Sequence, residues 1–93
     1  MPIVAFGKNG ATLHYNHNNA AIKGDGLLLV DAGGELHGYA SDITRTYPVS
    51  GRFSPDQRTL YSIVLRAQNA VINKLAPGQQ ATLFIIDTIN LFA

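Results

Sequence analysis

Asp31 and Asp42 are the residues whose type and spacing point most directly to chemistry. The segments that carry them read as two arms of a β-hairpin turning over Glu35 to Gly38. The first arm, Leu27 to Asp31, is a short apolar run between glycines, the pattern of a strand buried on both faces. The second arm, Tyr39 to Val49, is rich in the β-formers Ile43, Thr44, Thr46, Tyr47 and Val49. Centring the turn between Leu36 and His37 places Asp31 directly opposite Asp42. Directly opposed residues have Cβ atoms about 4.5–5.5 Å apart. Like charges that close destabilise the pair unless one carboxyl is protonated or a cation lies between them. Their same-face neighbours, Gly33, Ala40 and Thr44, are small and leave space above the carboxylates. Two carboxylates on rigid strands beside open space form a site for a hard divalent cation. The plain alternative is two unrelated surface aspartates, and spacing alone leaves both readings open. Against the alternative, Leu27 to Val30 is too apolar for a strand ending in a casual surface charge.

Two carboxylates do not complete a metal site, which takes four to six ligands. The imidazoles are His14, His17 and His37. His14, in the strand-like run Leu13-His14-Tyr15, is the best placed to face a site, although a lone histidine on a strand is more often structural. His17 in a polar loop and His37 at the hairpin tip read as solvated. Gly24-Asp25-Gly26 has neither the glycine spacing nor the following Lys-Ser/Thr of a phosphate loop. Ser41 and Ser54 lack a base at a recognisable offset.

The elements that must position these residues can be read along the chain. Strands are expected over about 11–15, 27–35 and 38–48, with Pro48 ending the ladder because it has no N–H to donate. Ser54-Pro55-Asp56-Gln57 carries an N-cap, a proline for the first helical position, an acid for the positive end of the dipole and the partner of a capping box. A helix should follow over about 55–75, with Leu60, Val64, Ala67, Val71 and Leu75 as its apolar stripe and Pro77-Gly78 beyond its end. The apolar stretch from Thr82 to Phe92 is open between a second helix and a strand. The fold class is therefore α+β, an antiparallel hairpin followed by a long helix.

Composition narrows the function. The chain has 93 residues, a net charge of +1, 46% hydrophobic residues and no cysteine. That length fits one small domain or part of a larger one. Charged residues make up 14%, against about 25% in an ordinary soluble domain; part of the surface is expected to be covered by something else. The scattered Lys and Arg offer no track for a phosphate backbone, so nucleic acid is not an expected partner. No secretory pattern and no apolar run of spanning length is visible, so neither is a membrane. Disulfides and thiolate metal sites are excluded. A cytoplasmic location is expected, with an organellar one left open.

The run from Leu29 to Val49, containing Asp-Ala-Gly-Gly-Glu-x-x-Gly-Tyr-x-Ser-Asp-Ile-Thr-Arg-Thr-Tyr-Pro-Val, resembles the aminopeptidase P and prolidase group of metallopeptidases, which have the pita-bread fold. The likeness continues through Gly51-Arg-Phe-Ser-Pro-x-Gln-Arg-x-Leu-Tyr61 and begins upstream at Pro2-Ile-Val and Asn9-Gly-Ala-Thr-Leu-His-Tyr15. It covers roughly residues 2–78, and the Phe-Ser-Pro-x-Gln-Arg run is closer to aminopeptidase P. The resemblance implies that Asp31 and Asp42 are ligands of a centre of two divalent metal ions, with manganese the usual metal. It implies that His14 is the active-site histidine beside the substrate, acting on the transition state without holding metal. The implied reaction is Xaa-Pro aminopeptidase chemistry: hydrolysis of the peptide bond before a proline at the second position. The alternatives are a prolidase acting on Xaa-Pro dipeptides and a non-catalytic binding module of the same fold.

The family's remaining ligands are one histidine and two glutamates further along the chain. Here the sequence holds a single glutamate, Glu35, and no histidine beyond His37. The expectation is that residues 1–93 form the first half of such a catalytic domain, inactive alone, and a homo-oligomer is a further expectation for a full-length parent.

Overall fold

The structure is a computed structural model, and it describes residues 1–82. It divides into two compact units, one running from Met1 to Phe53 and the other beginning at Ser54.

The first unit is a three-stranded antiparallel sheet with a two-stranded extension. Strand β1 (Ile3–Phe6) pairs with β2 (Leu27–Ala32), which pairs with β5 (Ile43–Pro48), so β2 is the central strand. The short strands β3 (Glu35–Leu36) and β4 (Tyr39–Ala40) form the hairpin tip. The tip encloses His37 and Gly38, with φ of 51° and 82°. Two consecutive positive-φ residues are the requirement of the tight hairpin turn whose twist matches its strands, and glycine meets it without steric cost.

This turn corrects the expected register. It is centred one residue later than Leu36–His37, so Asp31 lies opposite Thr44, with Ile3 on its other side. The expected continuous arms are also interrupted at 33–34 and 41–42. At Gly33 the strands come so close that a Cβ would collide with the Ser41 carbonyl oxygen. Glycine is required there, and the regular ladder is broken at that point.

The expected strand at 11–15 is not formed. Residues Gly7–Ala11 instead make a short 3-10 helix, closed where the Thr12 N–H donates to the Asn9 carbonyl at 3.1 Å. Gly7 opens it in the left-handed region at φ 56°. The alternation of β-formers at 11–15 finds no partner strand, whereas Ile3-Val4-Ala5-Phe6 does, so the extra strand lies earlier in the chain. The apolar run of β2 is half-buried, not enclosed on both faces.

The second unit holds helix α1 (Pro55–Lys74), close to the expected span. Both arms of the capping box form: the Gln57 N–H donates to Ser54 Oγ at 3.2 Å, and the Ser54 N–H donates to Gln57 Oε1 at 2.9 Å. Within the apolar stripe only Ala67 is buried; Leu60, Val64 and Leu75 remain exposed. The apolar tail beyond Thr82 lies outside the described residues.

Candidate metal centre

The shifted register changes how the two aspartates meet without separating them. With Asp31 opposite Thr44, Asp42 is two positions along β5's line from that partner, and side chains two apart share a face. The pair is therefore diagonal. Diagonal neighbours are typically about 7–8 Å apart between backbones, within reach of each other's side chains. The Asp42 carboxyl is raised above its ordinary value, first by a hydrogen bond shared with the Asp31 carboxyl, then by the negative charge of Asp31, and last by partial desolvation. A proton shared between two acids is the answer to like charge in close contact. The fully ionised pair carries a repulsion that a cation would relieve.

Ser41 holds Asp42 in place from the neighbouring position. Its N–H donates to the Gly34 carbonyl at 2.8 Å, and its Oγ accepts from the Gly34 N–H at 3.0 Å. These bonds join the two lines where the ladder is interrupted. The close approach at Gly33 sits beside them, so Asp42 lies on a backbone fixed by two adjacent features.

The aspartates look into an open cleft of about 430 Å³, whose wall also includes His14, Glu35 and Met1 to Ile3. Asp31 is half-buried, while Asp42 and His14 are exposed. His14 reaches the cleft from a turn and not from a strand, with its backbone in the left-handed region at φ 55°. His37 is exposed at the hairpin tip. His17 is exposed in its loop, its ring set edge-on to that of Tyr15 with centroids 5.8 Å apart.

The oxygen donors of Asp31 and Asp42 suit a hard divalent cation. Among the described residues no cluster of three or more His, Cys, Asp or Glu joins them as a complete ligand set. Gly33 was expected only as a small neighbour leaving space, and Ser41 only as a serine without a base; their part in fixing the backbone beside Asp42 was not foreseen. The Gly33-Gly34 doublet shortly after Asp31 is the signal that strands approach closely there.

Residues 1–86 match the model of metallopeptidase family M24. The chain belongs to this family. A probable Xaa-Pro aminopeptidase of Metarhizium acridum is 58% identical over 92 residues, which are 99% of this chain and 17% of that protein. Among solved structures, Pseudomonas aeruginosa aminopeptidase PepP superposes with a TM-score of 0.92 at 48% identity, covering 97% of this chain and 20% of that one. A zinc-substituted Escherichia coli aminopeptidase P in complex with product gives 0.93 at 39% identity, covering 97% of this chain and 20% of that one. The M24 chain thus has the α+β architecture of one part of the aminopeptidase P pita-bread fold, as the motifs around Asp31 and Asp42 implied. It spans about a sixth of the length of the curated relatives it matches. No described helix is long and apolar enough to cross a membrane.

Proposed function

We propose that this chain supplies the first part of the catalytic site of an Xaa-Pro aminopeptidase. Asp31 and Asp42 would each give carboxylate oxygens to a pair of divalent ions, manganese first among them, and His14 would face the substrate. The observation that carries this reading is the acid pair itself, Asp31 and Asp42 together on the wall of a cleft that His14 also lines. When bound, such ions polarise a scissile carbonyl and make water a nucleophile near neutral pH. The chain's own contribution is to hold two oxygen donors side by side, Asp31 on β2 and Asp42 just before β5. His14 stands at the cleft wall with a ring able to donate to a developing oxyanion. Peptides with proline at the second position are the substrates that this reading assigns, and the cytoplasm is the location.

Manganese titration of the chain tests it. Mn2+ is expected to bind, and Asp31→Asn and Asp42→Asn should each weaken binding beyond the roughly 10–100-fold that losing an outer-shell partner costs. Affinity unchanged from the wild type in both variants would refute the ligand assignment. With no further cluster of His, Asp or Glu joining these two carboxylates among the described residues, the chain alone should not hydrolyse an Xaa-Pro peptide in the presence of Mn2+. Turnover that disappears in Asp42→Ala would show that its site is already complete.

A further inference from the structure

The loop carrying His14 is tied down twice. Across His14, the Tyr15 hydroxyl accepts a hydrogen bond from Asn9 Nδ2 at 3.3 Å. After it, the Asn18 amide makes two bonds to the backbone of β1: Nδ2 donates to the Pro2 carbonyl and Oδ1 accepts from the Val4 N–H, each at 2.8 Å. Pro2 and Val4 flank Ile3, so both groups point to the same side of the strand. That side is the free edge of β1, since its other edge is occupied by β2. A free edge leaves unpaired N–H and C=O groups that another strand would otherwise engage. Here a single side-chain amide satisfies two of them. The position matters as well, because Ile3 lies opposite Asp31 in the ladder.

Within this tied loop His14 occupies the left-handed region at φ 55°. That conformation is uncommon for a residue with a side chain, and it persists where the surroundings over-determine it. Asn18 is itself left-handed at φ 51°, which asparagine tolerates better than most residues. Only Tyr15, Asn16 and His17 lie between them, so fixing Asn18 to β1 confines the path available to His14.

We infer that Asn18 is a positioning residue for His14. Its side-chain amide clamps the loop to β1 beside Asp31, and the clamp holds His14 in the left-handed conformation that sets it on the wall of the carboxylate cleft. The value of this placement for catalysis rests on the proposed function, whereas the clamp does not.

Two NMR readouts on the labelled full chain test the inference. The first, without metal, is the strong amide-to-Hα NOE within His14 that marks a positive φ. The second is the broadening of the His14 ring signals by added Mn2+. In Asn18→Ala the NOE should disappear and the broadening should fall several-fold, while the β1–β2 amide signals and the affinity for Mn2+ stay unchanged. Asn18→Asp keeps the acceptor for the Val4 N–H but loses the donor to Pro2, and a smaller change of the same sign is expected. If His14 is unaffected in a variant whose β1–β2 pairing is intact, the inference is overturned. If both variants lose that pairing, Asn18 serves the strand edge alone and the positioning role is overturned too. If Mn2+ leaves the wild-type chain untouched, the proposed metal reading fails, and the NOE still decides the role of Asn18.

Discussion

At Asp31 and Asp42 the same contact that recommends a cation penalises its absence. Asp42 holds its proton more tightly in the folded chain than an ordinary aspartate does, chiefly through its hydrogen bond to Asp31. A raised folded-state value means that the contribution of this group to stability is present at low pH and is lost as pH rises through that value. Asp42→Asn removes the ionisation. Without metal, the variant should therefore melt above the wild type at neutral pH, with the difference closing as the solution is acidified. On the proposed ligand roles, saturating Mn2+ should reverse the neutral-pH order, because only the wild type keeps both carboxylates. Melting curves at two pH values, with and without metal, check the sign; a variant less stable than wild type in metal-free neutral buffer would contradict it. This pair was legible in the sequence because a charged residue at the end of an apolar strand is anomalous in itself. Its diagonal geometry was not legible. The offset depends on which two residues occupy the turn, and Leu36–His37 and His37–Gly38 differ by one step.

Among the elements, the features with local causes were the readable ones. The capping box of α1 spans only Ser54 to Gln57, and all of it follows from residue types three apart. Ser54→Ala should cost about 1 kcal/mol of stability, read as a lower midpoint of helical circular dichroism on heating. Strand β1 was not anticipated, and a strand was expected at 11–15 instead, because strand formation is decided by partners distant in sequence, and the 11–15 run has none. The hairpin tip offers a test in the opposite direction. His37 adopts φ 51°, and asparagine is better suited than histidine to the first position of such a turn. His37→Asn is expected to stabilise the sheet slightly, by a few tenths of a kcal/mol on the scale of turn-compatible substitutions. At Gly33 the added methyl of an alanine would meet the backbone, which cannot turn aside as a side chain can. Gly33→Ala should cost roughly 1–3 kcal/mol, as overpacking does. It should also weaken Mn2+ binding by moving Asp42, and unchanged affinity would show that the approach at Gly33 does not position the pair.

For the whole molecule, the low share of charged residues already pointed to surface meant for cover. Among the described residues the buried hydrophobic ones are Ala5, Tyr15 and Ala67. Leu36 and Tyr39 at the hairpin tip are 70% and 83% exposed. In the register of the hairpin they share a face with Ile43 and Tyr47, which are also exposed, and that face is opposite the carboxylates. Contiguous exposed apolar patches favour association. The chain should elute from a sizing column at a volume that decreases with concentration, and Tyr39→Ser should weaken that dependence. A single concentration-independent species would argue against association through this surface.

The tight turn at His37–Gly38 also sets an order of events. Pairs next to a turn close the shortest loops and cost the least chain entropy, and hairpins form in about 1–10 μs. Glu35–Ala40 and Leu36–Tyr39 can therefore meet first, the Gly34–Ser41 bonds next, and Asp31 with Asp42 immediately after. Strand β1 must wait for the closure of the whole segment between Phe6 and Leu27. During assembly the two acids consequently face each other before the histidine-bearing loop has a strand to dock on, so a metal ion present at that moment would meet the two proposed ligands before the cleft around them exists.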